Sequence, residues 1–234
     1  MNMRNVVMVA ALLAAWPAAA ESPRLGSFEF SLNNYRPSID QEFSSGVRPY
    51  TTAFGGGRGL MFRFDVSKSL FTDFGSLEVG IGAGYFEKYG HGIVSTTGLP
   101  GDSTAFKVVP LRLSLTYRFD YLAREFRIPF APFGRVSLDR YQWWVMNGSG
   151  NTANSNGLGG SGATNGYSVS AGLAFLLNFL DPGVAREMDR DLGINHTYVF
   201  VDFTKSYIDD FGSSKSWNLS DDKTTIAGGL LFVF

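Results

Sequence analysis

Two histidines, His91 and His196, and no cysteine are the chain's whole supply of the side chains most used to activate a nucleophile or hold a soft metal. A histidine activates a serine hydroxyl by taking its proton. His91 with Ser95 or Ser103, in one polar segment, is therefore the minimal pair for nucleophilic acyl chemistry, which would also want an acid beside the histidine. No motif or spacing ties these residues together, and His91 reads as a solvated loop residue. His196 has no second His or Cys nearby and reads as fixing a turn rather than binding metal. The acid pairs Asp209 with Asp210 and Asp221 with Asp222 offer oxygen ligands to a divalent cation, or a cation bridge to lipopolysaccharide. Their plainer reading is exposed charge in a solvated loop. These residues assign no catalytic group, no metal site and no cofactor.

A second group has a more informative spacing. Glu29, Arg63, Asp65, Glu78, Arg112, Arg118, Arg135, Asp139 and Asp202 lie in stretches where apolar residues recur at every second position, and all nine take the opposite phase. Period two is the repeat of a β-strand, whose successive side chains point to opposite faces. Five acids and four bases on one face suit a salt-bridged polar interior, because buried charges are normally paired. The alternative for the same residues is a narrow pore for small solutes. Gly80, Gly82 and Gly84 would widen that pore locally, or else give room to large side chains from neighbouring strands.

Eight segments must carry these charges: 25–33, 58–67, 75–85, 104–119, 130–145, 166–178, 196–207 and 224–234. The fifth loses its phase near Arg140, where a bulge is expected. In the eighth, Ile226, Leu230, Phe232 and Phe234 share a face, and Phe234 ends the chain. The connections after the first, third, fifth and seventh strands are long and polar. One of them, 147–165, is so low in complexity that it is expected to be a mobile loop. The stretch 181–193 reads as a helix. Asp181 can cap it, Pro182 suits its first turn, Val184, Met188 and Leu192 recur every four residues, and Gly193 can close it. Those three apolar residues are expected to dock beneath the strands.

At the amino terminus Arg4 precedes an apolar run from Val6 to Trp16 and the small residues Ala18, Ala19 and Ala20. This is a secretory signal peptide, 1–20, cleaved after about Ala20 and leaving one domain over 21–234. Removing Arg4 leaves 19 basic against 21 acidic residues, so no single-sign field points to nucleic acid. A secreted chain without cysteine has no disulfides and must be held by burial and hydrogen bonds. Its 28 glycines and 21 phenylalanines suit turns and strands. Beyond the leader no apolar run is long enough for a membrane helix, so crossing a membrane would require a closed barrel.

An even strand number, alternating long and short connections and both termini on the short-turn side describe a transmembrane barrel. The expected fold is all-β: an eight-stranded antiparallel up-and-down transmembrane β-barrel with one short periplasmic helix. Charges would face the lumen and apolar residues the lipid, the inverse of a soluble ligand-binding barrel. Tyr117, Phe119, Phe130 and Phe234 at one rim, and Tyr85, Trp143 and Trp144 at the other, would form two aromatic girdles.

The terminal pattern Ile226, Leu230, Phe232, Phe234 resembles the last strand of bacterial outer-membrane β-barrels, where it is the assembly machinery's recognition signal. The chain beyond the leader resembles the small eight-stranded members of that class. Two segments are more narrowly similar to an outer-membrane barrel family known mainly from myxobacterial genomes. They are Ser22 to Glu29 with Tyr35, Arg36 and Pro37, and Met188 and Asp189 with Leu192, Gly193 and Asn195 to Tyr198. The resemblance implies an outer-membrane location and brings no activity with it. The expected partners are the barrel-assembly machinery, periplasmic chaperones, outer-membrane lipids and lipopolysaccharide, for a monomeric protein. The expected role is non-enzymatic, as a structural, surface-interaction or envelope protein. A narrow pore and a lipid-modifying enzyme are the alternatives.

Overall fold

The computed structural model describes residues 23–43, 46–93, 100–155, 158–213 and 216–234, and the signal peptide read at 1–20 lies outside them. Eight strands form the barrel: β1 (Gly26–Tyr35), β2 (Gly59–Phe71), β3 (Ser76–Ile93), β4 (Pro100–Arg118), β5 (Phe130–Met146), β6 (Ser161–Leu176), β7 (His196–Tyr207) and β8 (Thr225–Val233). Each pairs antiparallel with its neighbours in sequence, and β1 with β8 closes the ring. Closure leaves no barrel edge unpaired. In the seam Phe28 lies opposite Phe232 and Phe30 opposite Leu230. The Phe234 carbonyl accepts from the Leu25 and Gly26 amides at 2.6 and 2.9 Å. The start of β1 and the end of β8 thus share one end, here the terminal end, and the connections after β1, β3, β5 and β7 leave from the other, the loop end.

Covalent alternation sorts the two faces. Ile81, Leu138 and Ile226 stand 68, 59 and 59% exposed on the outside, while Glu78, Arg118 and Asp139 are 2, 2 and 4% exposed inside. The glycines of β3 follow from the narrowness of that interior. A Cβ on Gly80 would lie 2.2 Å from Ser67 Oγ, one on Gly82 would lie 2.1 Å from Asp65 Oδ1, and one on Gly84 would lie 2.8 Å from Pro110 Cγ. The space they leave is taken by neighbouring side chains.

The loop end departs from the sequence expectations. β3 and β4 extend through most of 88–103, and β6 begins inside the low-complexity run, preceded by a hairpin of Asn154–Ser155 and Leu158–Gly159. Ladder hydrogen bonds belong to the backbone, so small polar residues can prolong a sheet that apolar ones begin. Gly162 is required there, since a Cβ would lie 2.6 Å from the Trp143 ring. No bulge occurs at Arg140. Pairing runs unbroken from Ala105 with Met146 to Arg118 with Phe133, and Arg140 points outward. The first long connection folds into a 3-10 turn (Ile39–Glu42) and α1 (Pro49–Phe54), and α2 (Tyr121–Glu125) fills the turn after β4.

The third helix, α3 (Pro182–Leu192), forms with the expected caps. Asp181 Oδ1 accepts from the Gly183 and Val184 amides at 2.9 and 3.1 Å, and Gly193 closes the helix at φ 69°. Two of its three apolar residues do not dock: Val184 and Leu192 are 51 and 68% exposed, while Met188 is half-buried. Phe133, Leu176, Tyr198, Val233 and Ala123 of α2 already fill the terminal end of the lumen. The helix is left at the rim.

Candidate functional site

The nine charges picked out by phase all lie on the inner face, and they form clusters from the terminal end upward. Lowest is an Arg118–Glu78 salt bridge, whose Glu78 also accepts from Ser27 Oγ at 2.8 Å. The Arg118 guanidinium carbon stands 5.7 Å from the centroid of the Tyr198 ring. Beneath it, Asp120 meets Arg24 at 3.4 Å, Arg124 at 3.5 Å and Ser76 Oγ at 2.6 Å. Above, Arg135 grips Glu29 with both arms, at 2.5 and 3.1 Å, and its Nε donates to Thr116 Oγ1 at 2.9 Å. This bidentate geometry is the strong form of an arginine–carboxylate contact.

Higher again, Arg112 lies 3.4 Å from Asp139 and 3.9 Å from Asp65, and Asp139 accepts from Ser168 at 2.7 Å and Ser137 at 3.3 Å. Asp202 accepts from Thr204 at 3.2 Å, and Arg63 donates to the Tyr141 hydroxyl at 2.6 Å. The space beside Arg63, Asp65 and Arg112 is a void of about 10 Å³. That is no more than one water needs.

An apolar layer lies at each end of this charged column. The floor is the cluster around Phe133, Leu176 and Tyr198. At the loop end Tyr35, Phe86, Phe106, Tyr141 and Trp143 meet residues of the last connection. Trp143 stacks on Trp217 with ring centroids 4.3 Å apart and planes at 13°, and the Tyr35 hydroxyl donates to the Leu219 carbonyl at 2.6 Å. Trp143 is therefore not part of an outer girdle. It shares the parity of Arg135 and Asp139 and lies inside at 8% exposure. Tyr85, Tyr117, Phe130 and Phe234 do lie on the outer surface. α1 covers the inner side of the tall β3–β4 hairpin: Tyr50 and Phe54 pack on Phe106, and Asp40 Oδ1 accepts from the Tyr50 amide at 2.8 Å.

Three of these four acids, Asp210, Asp221 and Asp222, are not free solvated charge. Asp221 is 2% exposed, accepts from Arg58 at 2.5 Å and also holds Thr225, while Asp222 pairs with Arg58 and with Arg36 at 3.5 Å. These contacts tie the last connection to the first. Asp210 accepts from Ser216 Oγ at 2.6 Å and from the Asn165 amide at 2.8 Å, and those donors hold its carboxyl below the ordinary carboxylate range. Among the described residues no group of three His, Asp or Glu could hold a metal ion.

His91 sits opposite Ser103 in the β3–β4 register, both exposed, with no hydrogen bond joining them. Ser95 lies outside the described residues. His196 is buried at the start of β7, 6.0 Å from the Tyr198 ring. The turn beside it is fixed by Asn178, which donates to the Asn195 carbonyl at 2.7 Å and accepts from the Thr197 amide at 2.9 Å. Sequence reasoning passed over Ser27, Thr116, Ser137 and Ser168, whose inward parity was legible. It also passed over Asp120 and Trp217, which lie outside any strand and so had no parity to read.

No protein-family model matches the chain, and none of the curated proteins does. Solved structures do match. One is Ail, the attachment invasion locus protein of Yersinia pestis, in complex with the heparin analogue sucrose octasulfate, at 11% identity over 90% of this chain and 99% of that one, with a TM-score of 0.42. Another is the N-terminal β-barrel domain of Pseudomonas aeruginosa OprF, at 12% identity over 91 and 100% of the two chains and a TM-score of 0.42. A third is the outer membrane enzyme PagL, at 16% identity over 88 and 98% and a TM-score of 0.38. At these identities and TM-scores the matches assign no family and no role, and the closed eight-stranded antiparallel barrel is read from this chain's own strand pairing.

Proposed function

We propose that the chain is a bacterial outer-membrane β-barrel that crosses the bilayer with its lumen closed and acts, without catalysing a reaction, as a surface-interaction protein at its loop end. The observation that carries this reading is the belt of exposed apolar side chains around a charged interior. On β4 the outward residues from Val109 to Tyr117 are all apolar or aromatic and span eight steps. Eight steps are about 27 Å along a strand, or about 21 Å along the axis at a tilt of about 40°, close to the apolar band of such barrels. A water-soluble barrel with this outer wall would expose far more contiguous apolar surface than a monomer tolerates.

The loop end supports the second half of the reading. β3 and β4 rise above the belt, and their inner side is covered by α1 and by Trp217, which builds an ordered projection. On this reading the leader directs export, the strand ending in Phe234 engages the assembly machinery, and the barrel is a monomer in contact with outer-membrane lipids.

Membrane fractionation of cells expressing the full chain tests the location, and gel mobility with and without heating tests the barrel. Recovery in the outer membrane with a heat-dependent mobility shift is expected. Recovery in the periplasm would refute the location. In planar bilayers the folded protein is expected to be silent, and steady unitary conductance would replace the closed-lumen reading with a pore.

A further inference from the structure

Part of the aromatic layer at the loop end also walls a cavity of about 220 Å³. Four segments far apart in the sequence meet there: the first connection with its 3-10 turn and α1, the upper β3–β4 hairpin, the end of β5 at Val145, and Trp217 of the last connection. Tyr50 and Phe106 lie buried on the wall, while Phe43 is 42% exposed, so the cavity opens outward beside Phe43. No residue on the wall is charged, and the Thr104 hydroxyl is engaged, donating to the Met146 carbonyl at 2.7 Å.

The wall is held by contacts of its own. Tyr50, Phe54 and Phe106 stand with ring centroids 5.3 to 5.8 Å apart, and Phe106 meets Trp217 at 6.3 Å. Asp40 fixes the start of α1, accepting from the Tyr50 amide at 2.8 Å and the Thr51 amide at 3.2 Å. Gly92 is the informative position. Two residues before it, Gly90 is required by packing, since a Cβ there would lie 2.0 Å from the Ala53 carbonyl oxygen. At Gly92 a Cβ would meet nothing nearer than the Asp102 carbonyl oxygen at 3.6 Å, an ordinary contact, and its φ is not in the left-handed region. Neither backbone nor packing demands glycine there, and what the glycine leaves is room in the cavity it lines.

An apolar cavity of about 150 Å³ takes one benzene ring, so in proportion this one fits about nine heavy atoms. A charged ligand would lose its hydration on this wall and gain no countercharge. Aromatic walls favour a ring, which they meet edge-on or offset. We propose that this cavity binds one molecule of a small uncharged aromatic hydrocarbon, a single ring that is fused or alkyl-substituted. The ring packs among Phe54, Phe106 and Trp217, and Gly92 gives it room. The assignment rests on the reading of the loop end as an interaction surface and deepens it by naming a ligand class.

The test follows the backbone amide signals of the full mature chain in phosphatidylcholine nanodiscs by NMR during titration with indane, a hydrocarbon of this size. Benzoate, with the same number of heavy atoms and a charge, is the control. In the wild type, saturable shifts at Tyr50, Gly92 and Trp217 are expected with indane and none with benzoate. Gly92→Leu, whose Cβ the packing admits, and Ala53→Leu fill the cavity from two sides, and each is expected to weaken binding by roughly tenfold or more. Shifts that rise without saturating and fall on belt residues such as Leu113 and Leu138, binding by both variants equal to wild type, or an equal response to benzoate would each overturn the proposal and leave the barrel and its loop-end surface intact. Failure of the wild type to enter nanodiscs and to shift on heating would overturn both the proposal and the membrane reading. The heat shift of each variant separates a filled cavity from a lost fold.

Discussion

Arg135 probes whether the charged column holds the barrel. It is 6% exposed and is the partner of Glu29, which is itself 6% exposed. Arg135→Met keeps much of the side-chain volume and removes the charge, so Glu29 stays buried against the Thr116 layer with its cation gone. Breaking a buried pair from one side costs about 3–5 kcal/mol, since the remaining charge is uncompensated. At about 1.4 kcal/mol per tenfold, the folded-to-unfolded ratio falls by a factor of roughly 140 to 3,700. The double variant Glu29→Met with Arg135→Met removes both charges and should regain most of the loss, giving a coupling of about 2 kcal/mol or more. Urea unfolding in phosphatidylcholine vesicles, followed by tryptophan fluorescence, measures all four corners of the cycle. A single variant within about 1 kcal/mol of wild type, or a double variant equal to the sum of the singles, would refute the reasoning. Bilayer conductance should stay silent in every corner, because the aromatic lid and the apolar floor are untouched.

Gly90→Val should detach α1 from the tall hairpin, since a Cβ there would lie 2.0 Å from the Ala53 carbonyl oxygen. Protease should then cut within 46–58 while the heat shift survives, and unchanged resistance would contradict the packing. Asp210 has a folded-state pKa below its unfolded value. Its stabilisation is complete above the ordinary carboxylate range and is lost as pH falls through the lower, folded value. Exchange of the Asn165 amide should therefore accelerate on acidification in the wild type and be fast at all pH in Asp210→Ala; a pH-independent wild type would count against it. Deleting Phe234 removes the acceptor for the Leu25 and Gly26 amides and the donor to the Gly26 carbonyl. Surface levels should drop well below those of a chain lacking 148–151, and equal levels would sink the closing role given to this residue.

Much of the barrel was legible because strand parity is a covalent property. Side chains two residues apart share a face whatever the partner strand, so the inward set from Glu29 to Asp202 and the outward set of β8 could be read from single segments. The same rule placed Trp143 inside, and reading it as a girdle residue set aromatic type above parity. The strand ends at the loop side were misjudged because composition was taken as the limit of pairing, whereas β6 starts at Ser161 on backbone hydrogen bonds, with Gly162 making room for Trp143.

What the chain determined by itself is therefore the strand count, the facing of each residue and the cap chemistry of α3, all set within about ten residues by backbone geometry. Only the closed structure decided who meets whom. Arg135 reaches Glu29 across 106 positions, Arg58 reaches Asp221 across 163 and Tyr35 reaches Leu219 across 184. Those pairings depend on register and curvature summed around the ring, where a shift of one residue in any strand would exchange every inward side chain for an outward one.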